Sequence, residues 1–79
     1  MVISDYKIRR RIAAIGPIII EKREAAEMDQ GELIAASGIS RTTIAPLEAG
    51  KAKGVTVKTL AKIASVLGCS VPDLLPGGF

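Results

Sequence analysis

The stretch Asp29–Lys51, DQGELIAASGISRTTIAPLEAGK, decides how this chain folds. Asp29 followed three positions on by Glu32 is a capping box, and the helix it opens runs through Leu33 and Ala36 to a stop at Gly38. Ser40 opens a second short helix, with Ile44 and Leu47 on its inner face and Gly50 as its end. Only Ser37-Gly38-Ile39 separates the two. Pro46 falls in the middle of the second helix, where a ring without an N–H interrupts the hydrogen-bond ladder. What that helix is for therefore turns on what its other residues offer.

Outward from this pair, three further helical patterns appear and no strand pattern. Upstream, Ser4 opens a helical extension over residues 1–14, and Ile8, Ile12, Ile15 and Ile19 recur at spacings of four, three and four as one apolar stripe. Gly16-Pro17 interrupts it, which predicts a kink or a new helix with Pro17 in its first turn. Downstream, Thr56 caps a helix that turns Leu60, Ile63, Ala64 and Leu67 inward and stops at Gly68. A last single turn has Ser70 and Asp73 as its box and Pro72 in its first turn. The sequence thus predicts one all-α domain over 1–79, a five-helix bundle with an extended N-terminal helix. Its expected core is Ile15, Ile19, Leu33, Ile44, Leu47, Leu60, Ile63, Ala64, Leu67 and Leu74.

Composition narrows the function. At 79 residues most apolar positions are needed for packing, which leaves little room for catalytic machinery. With one cysteine and no histidine there is no internal disulfide, no zinc-type ligand cluster and no histidine-based triad. We expect no enzyme, no metal, no cofactor, no small-molecule substrate, and a cytoplasmic location. Eleven Lys/Arg against eight Asp/Glu give +3, a mild balance that permits a polyanion partner. The apolar run Ile12–Ile20 (IAAIGPIII) is far short of the ~20 residues that span a bilayer, so no membrane is expected. The charged segment after it argues against a signal peptide. Arg9-Arg10-Arg11 point in different directions around a helix and read as a solvated face, and Tyr6 and Phe79 are too isolated to form a stacking platform.

Two short helices across a glycine-containing three-residue turn form a helix-turn-helix, whose second helix enters the DNA major groove. The chain resembles the lambda-repressor-like, Cro/cI-type (XRE) family over Ile15 to Leu75. The resemblance lies in IG-x-x-I-x-x-x-R from Ile15, M-D-Q-x-E-L from Met28, A-x-S-G-I-S-R-T-T-I from Ala35, LEAGK, and the run from Thr59 to Leu75. It implies that Gln30 holds a phosphate and braces the recognition helix. It also implies that Arg41, Thr42, Thr43, Ala45 and Pro46 face the groove or its rim, and that Ala49 and Lys51 stand where phosphate is gripped, with Lys53 nearby. Arg23 and Glu48 match a partly buried ion pair tying the first helix to the third.

The departures matter as much. Ala45, Pro46 and Ala49 stand where the family carries polar groups, and they offer no hydrogen-bonding side chain to a base or a phosphate. Pro17, Ile18, Ile20 and Ala36 likewise replace charged or polar residues. Two readings follow. In one, Ala14, Pro17, Ile18, Ile20, Ala45 and Pro46 make a docking face, the surface is remodelled, as by engineering, for homo-oligomeric self-association, and sequence-specific DNA binding is impaired. In the other, the chain is a duplex-DNA-binding transcriptional regulator acting as a dimer and reading with Arg41, Thr42 and Thr43. A further possibility is that the segment 4–14 folds back and covers Ile18 and Ile20 within one monomer.

Overall fold

The computed structural model describes residues 11–77. Ser4, Tyr6, Ile8, Arg9, Arg10 and Phe79, with most of the expected N-terminal extension, lie outside the described residues. Residues 11–13 are helical and the chain turns at Ala14. Five helices follow: α1 (Ile15–Ala25), α2 (Gln30–Ser37), α3 (Arg41–Glu48), α4 (Val57–Leu67) and α5 (Val71–Leu74). The described residues contain no strand. The fold is an all-helical helix-turn-helix bundle, as the patterning implies.

The caps explain most boundaries. Asp29 Oδ1 accepts from Glu32 N at 2.7 Å and Glu32 Oε1 accepts from Asp29 N at 3.0 Å, so both halves of the box at the head of α2 are made. Thr56 Oγ1 accepts from Thr59 N at 3.1 Å at the head of α4. Gly38 and Gly68 end their helices with φ of 71° and 72°, a conformation that glycine reaches without Cβ strain.

One capping expectation needs correction. Ser40 is the N-cap residue of α3 but its hydroxyl caps no backbone N–H. It shares a hydrogen bond with Thr42 Oγ1 at 2.8 Å instead, because a neighbouring hydroxyl competes for it. At α5 the expected box of Ser70 and Asp73 is present, the Asp73 carboxylate accepting from Ser70 N at 2.9 Å and from Ser70 Oγ at 2.8 Å.

The chain breaks at Ala14, one residue ahead of α1, which leaves Pro17 in the first turn, where its missing N–H costs nothing. Gly16 has a second reason to be there. A Cβ at Gly16 would meet the carbonyl oxygens of Leu47 and Glu48 at 2.6 Å, so α1 and the end of α3 approach through a bare backbone. Pro46 neither breaks nor ends α3, which runs unbroken from Arg41 to Glu48. Beyond the proline the ladder resumes, with Ala49 N to Ala45 O at 3.0 Å and Lys51 N to Pro46 O at 2.8 Å.

The core gathers Ile12, Ile15, Ile19, Leu33, Ile39, Ile44, Leu47, Leu60, Ile63, Ala64 and Leu74. Leu67 differs from expectation, being half-buried and packed on the core from outside. It is the last residue of α4. Ile39 was not expected, since it lies in the turn, yet it is 8% exposed. It plugs the gap between α2 and α3 while its N–H donates to Ser37 Oγ at 3.2 Å. α1 packs on α3 and α5, and α2 packs on α3 and α4, while the first turn of α3 stays exposed.

Candidate nucleic-acid interface

The outward edge of the α2–α3 pair is where the expected DNA contacts fall. Arg41, Thr42 and Thr43 form the first turn of α3 and are exposed. Gln30, the first residue of α2, is half-buried beside them. Lys51 and Lys53 are exposed in the loop after α3, and Ala49 is exposed just ahead of them. Ala45 and Pro46 are half-buried, further along α3. The polar part of the helix surface is therefore its head, and its later turn is small and apolar.

Behind that head lies a connected set of side chains. Arg23 Nε donates to Glu48 Oε2 at 2.9 Å and Arg23 Nη2 donates to Glu48 Oε1 at 3.0 Å, a two-point ion pair between α1 and α3. Glu48 is buried, at 6% exposure. Those bonds hold the Arg23 guanidinium above its ordinary pKa against the opposing effect of burial. Arg23 Nη1 also donates to Met28 O at 2.8 Å, securing the α1–α2 turn. Gln30 Nε2 donates to Glu48 Oε1 at 3.1 Å, and Arg41 Nη1 donates to Gln30 Oε1 at 3.0 Å. The link from Glu48 through Gln30 to Arg41 has no local sequence signal, because its members are 18 and 11 positions apart and meet only once α2 and α3 are packed.

Charge is divided along the chain. The exposed residues of 21–32 include the acids Glu21, Glu24, Glu27, Asp29 and Glu32, whereas those of 41–62 include the bases Arg41, Lys51, Lys53, Lys58 and Lys62. The exposed bases of this half of the chain thus lie on α3, its following loop and α4. Lys58 and Lys62 also line a shallow groove of about 400 Å³ with Ala36, Ala61 and Val66.

Of the expected docking face, Pro17 is exposed, while Ala14, Ile18, Ile20, Ala45 and Pro46 are half-buried and Ile18 packs against the core. The large apolar side chain left open among the described residues is Val57, at 71%. No helix among the described residues is long and apolar enough to cross a membrane. No group of three or more His, Cys, Asp or Glu among them is placed to hold a metal ion.

The pattern of the Cro/C1-type HTH DNA-binding domain matches residues 19–76. The chain belongs to that family. Among solved structures, this Cro/C1-type domain is similar to apo-HppE, at 30% identity and a TM-score of 0.74 over 84% of this chain and 36% of that one. It is similar to hydroxypropylphosphonic acid epoxidase from S. wedmorenis at 28% identity, with a TM-score of 0.79 over 90% of this chain and 37% of the other. FeII HppE in complex with substrate gives 29% identity and a TM-score of 0.76 over 86% and 39%. The domain thus spans little more than a third of each of these chains. Comparison with curated proteins finds no relative.

Proposed function

We propose that the domain binds duplex DNA with the exposed head of α3 in the major groove. Base reading is confined to Arg41, Thr42 and Thr43, and phosphate anchoring comes mainly from Lys51 and Lys53. The observation that carries this reading is the pairing of a polar, exposed α3 head with a basic loop directly after it, inside a fold of a DNA-binding family. Ala45, Pro46 and Ala49 narrow the reading edge, so specificity is low for a single copy. Two copies on half-sites about one helical turn apart are the arrangement by which such domains recover it. Phosphate contact at Gln30 is opposed by Asp29 and Glu32, which stand exposed beside it. The expected role of Gln30 therefore shifts toward bracing. The site of action is the cytoplasm, and no enzymatic chemistry is assigned. The epoxidase likeness covers about a third of those proteins and carries no epoxidase activity to this chain.

Salt dependence tests the proposal. Each neutralised phosphate contributes a slope of about −0.9 to log K against log salt, so contacts from Lys51, Lys53 and the α3 head give a slope of roughly −2 to −3. Replacing Lys51 and Lys53 with Ala should flatten it by about two contacts. A duplex affinity indifferent to salt would overturn the proposal.

Self-association is the second reading raised by the sequence. Its support is the exposure of Pro17 beside partly open Ile18 and Ile20. Because Ile18 packs on the core, Ile18→Glu is expected to cost stability as well as any contact between copies. Solution mass over a concentration series tests this reading directly. A monomer throughout would refute it.

A further inference from the structure

Arg41 is not a free surface arginine. Its Nη1 is held at 3.0 Å by Gln30 Oε1, and the other end of that amide is held at 3.1 Å by Glu48 Oε1. A carboxylate can only accept, so the amide nitrogen of Gln30 must face Glu48 and the amide oxygen must face outward. The usual ambiguity of a glutamine amide is removed by its neighbour. An outward oxygen in turn requires a donor at position 41, and a guanidinium offers nothing but donors.

With one N–H of Nη1 engaged by Gln30, Arg41 still has its remaining donors for a base edge. Guanine presents two acceptors, O6 and N7, in the major groove, whereas adenine and cytosine each present a donor that an arginine cannot satisfy. Building on the duplex-binding reading above, we propose that Arg41 reads a guanine and that buried Glu48, acting through Gln30, is the positioning residue that sets this preference. A side chain with no access to DNA thus fixes which base the α3 head selects. Thr42 and Thr43, whose hydroxyls both donate and accept, add little discrimination.

The test is selection from a duplex pool randomised over its central turns, followed by affinities on the selected duplex and its single-base variants. The parent chain should prefer guanine at one position by about 5- to 150-fold, the range of a good bidentate contact, and 7-deazaguanine there should remove much of the preference. Gln30→Met keeps the Arg23–Glu48 pair but frees Arg41, and the guanine ratio should drop to a few-fold. The ratio is taken within each variant, so any general loss of affinity cancels. Arg41→Gln should move the preference to adenine, because a glutamine amide can donate to N7 and accept from N6. Glu48→Gln, if folded, should also lower the ratio, since an amide at 48 lets Gln30 turn either way. If it does not fold, Gln30→Met decides the matter. A full guanine ratio in Gln30→Met overturns the positioning role. Duplex binding without any guanine preference overturns the whole inference while leaving the DNA-binding reading intact, and failure to bind any duplex overturns both.

Discussion

Glu48 ties α1, α2 and α3 together, and Glu48→Ala shows what that junction is worth. The substitution removes three hydrogen bonds at once, from Arg23 Nε, Arg23 Nη2 and Gln30 Nε2, at 2.9, 3.0 and 3.1 Å. The Arg23 side chain is 12% exposed, so its charge stays largely cut off from water with only the Met28 carbonyl at 2.8 Å to face. Removing one partner of a buried pair costs about 3–5 kcal/mol, mostly the penalty of the charge left behind. Because Arg23 keeps the Met28 carbonyl and part of its surface, the expected loss is at the low end, about 3 kcal/mol. A domain of this length holds on the order of 4–12 kcal/mol in total, so the variant should give up between about a quarter and three-quarters of its stability. Urea denaturation followed by circular dichroism reads this as a lower midpoint at an unchanged slope. The double variant Arg23→Met, Glu48→Leu leaves no charge unpaired and should recover most of the loss. A loss below about 1 kcal/mol in Glu48→Ala, the range of an exposed pair, would refute the reasoning.

Other expectations follow from the packing and the caps. Leu33→Ala and Leu60→Ala each empty a buried site and should lower unfolding free energy by about 2–5 kcal/mol in the same assay. Gly16→Ala should destabilise although alanine is the better helix former by about 1 kcal/mol, because its Cβ would overlap two α3 carbonyls and push the helices apart. A raised thermal midpoint would show that α1 and α3 can separate freely. Hydrogen bonds from Ser70 hold the Asp73 carboxyl below its usual pKa. Its contribution is therefore present above the unfolded-state value and lost as pH falls through the lower folded value. Asp73→Asn should weaken the domain at neutral pH and shrink the acid-side fall in the urea midpoint, and an unchanged acid limb would contradict that assignment.

The local signals in the sequence carried the fold, whereas the site depended on contacts that no local signal carries. Asp29 with Glu32, Thr56, Gly38 and Gly68 each act within one turn of chain, so their roles are written in the order of residues. Ser40 looks identical to such a cap, yet its hydroxyl turns to Thr42, a choice between near-equal partners that spacing does not decide. Ile39 reads as a turn residue until α2 and α3 close over it, and Gly16 reads as a helix breaker until α3 is seen resting on it. Pro46 reads as a break, but α3 is short and anchored on both sides by Ile44 and Leu47, so packing overrides one missing rung. Ile18 belongs by sequence to a second apolar face, and in the fold it is half-buried with part of its side chain against the core, a division that spacing along the chain does not give.

The central claim is that the head of α3 and the loop after it meet duplex DNA. Backbone amide shifts of the isotopically labelled chain, titrated with a short duplex at low salt, test it most directly. The account predicts that the largest changes fall on residues 41–43 and 51–53, that Gln30 follows through its bond to Arg41, and that the acidic side from Glu21 to Glu27 stays still. Changes centred on that acidic side or on the groove between α2 and α4, or no changes with duplex in excess, would contradict it.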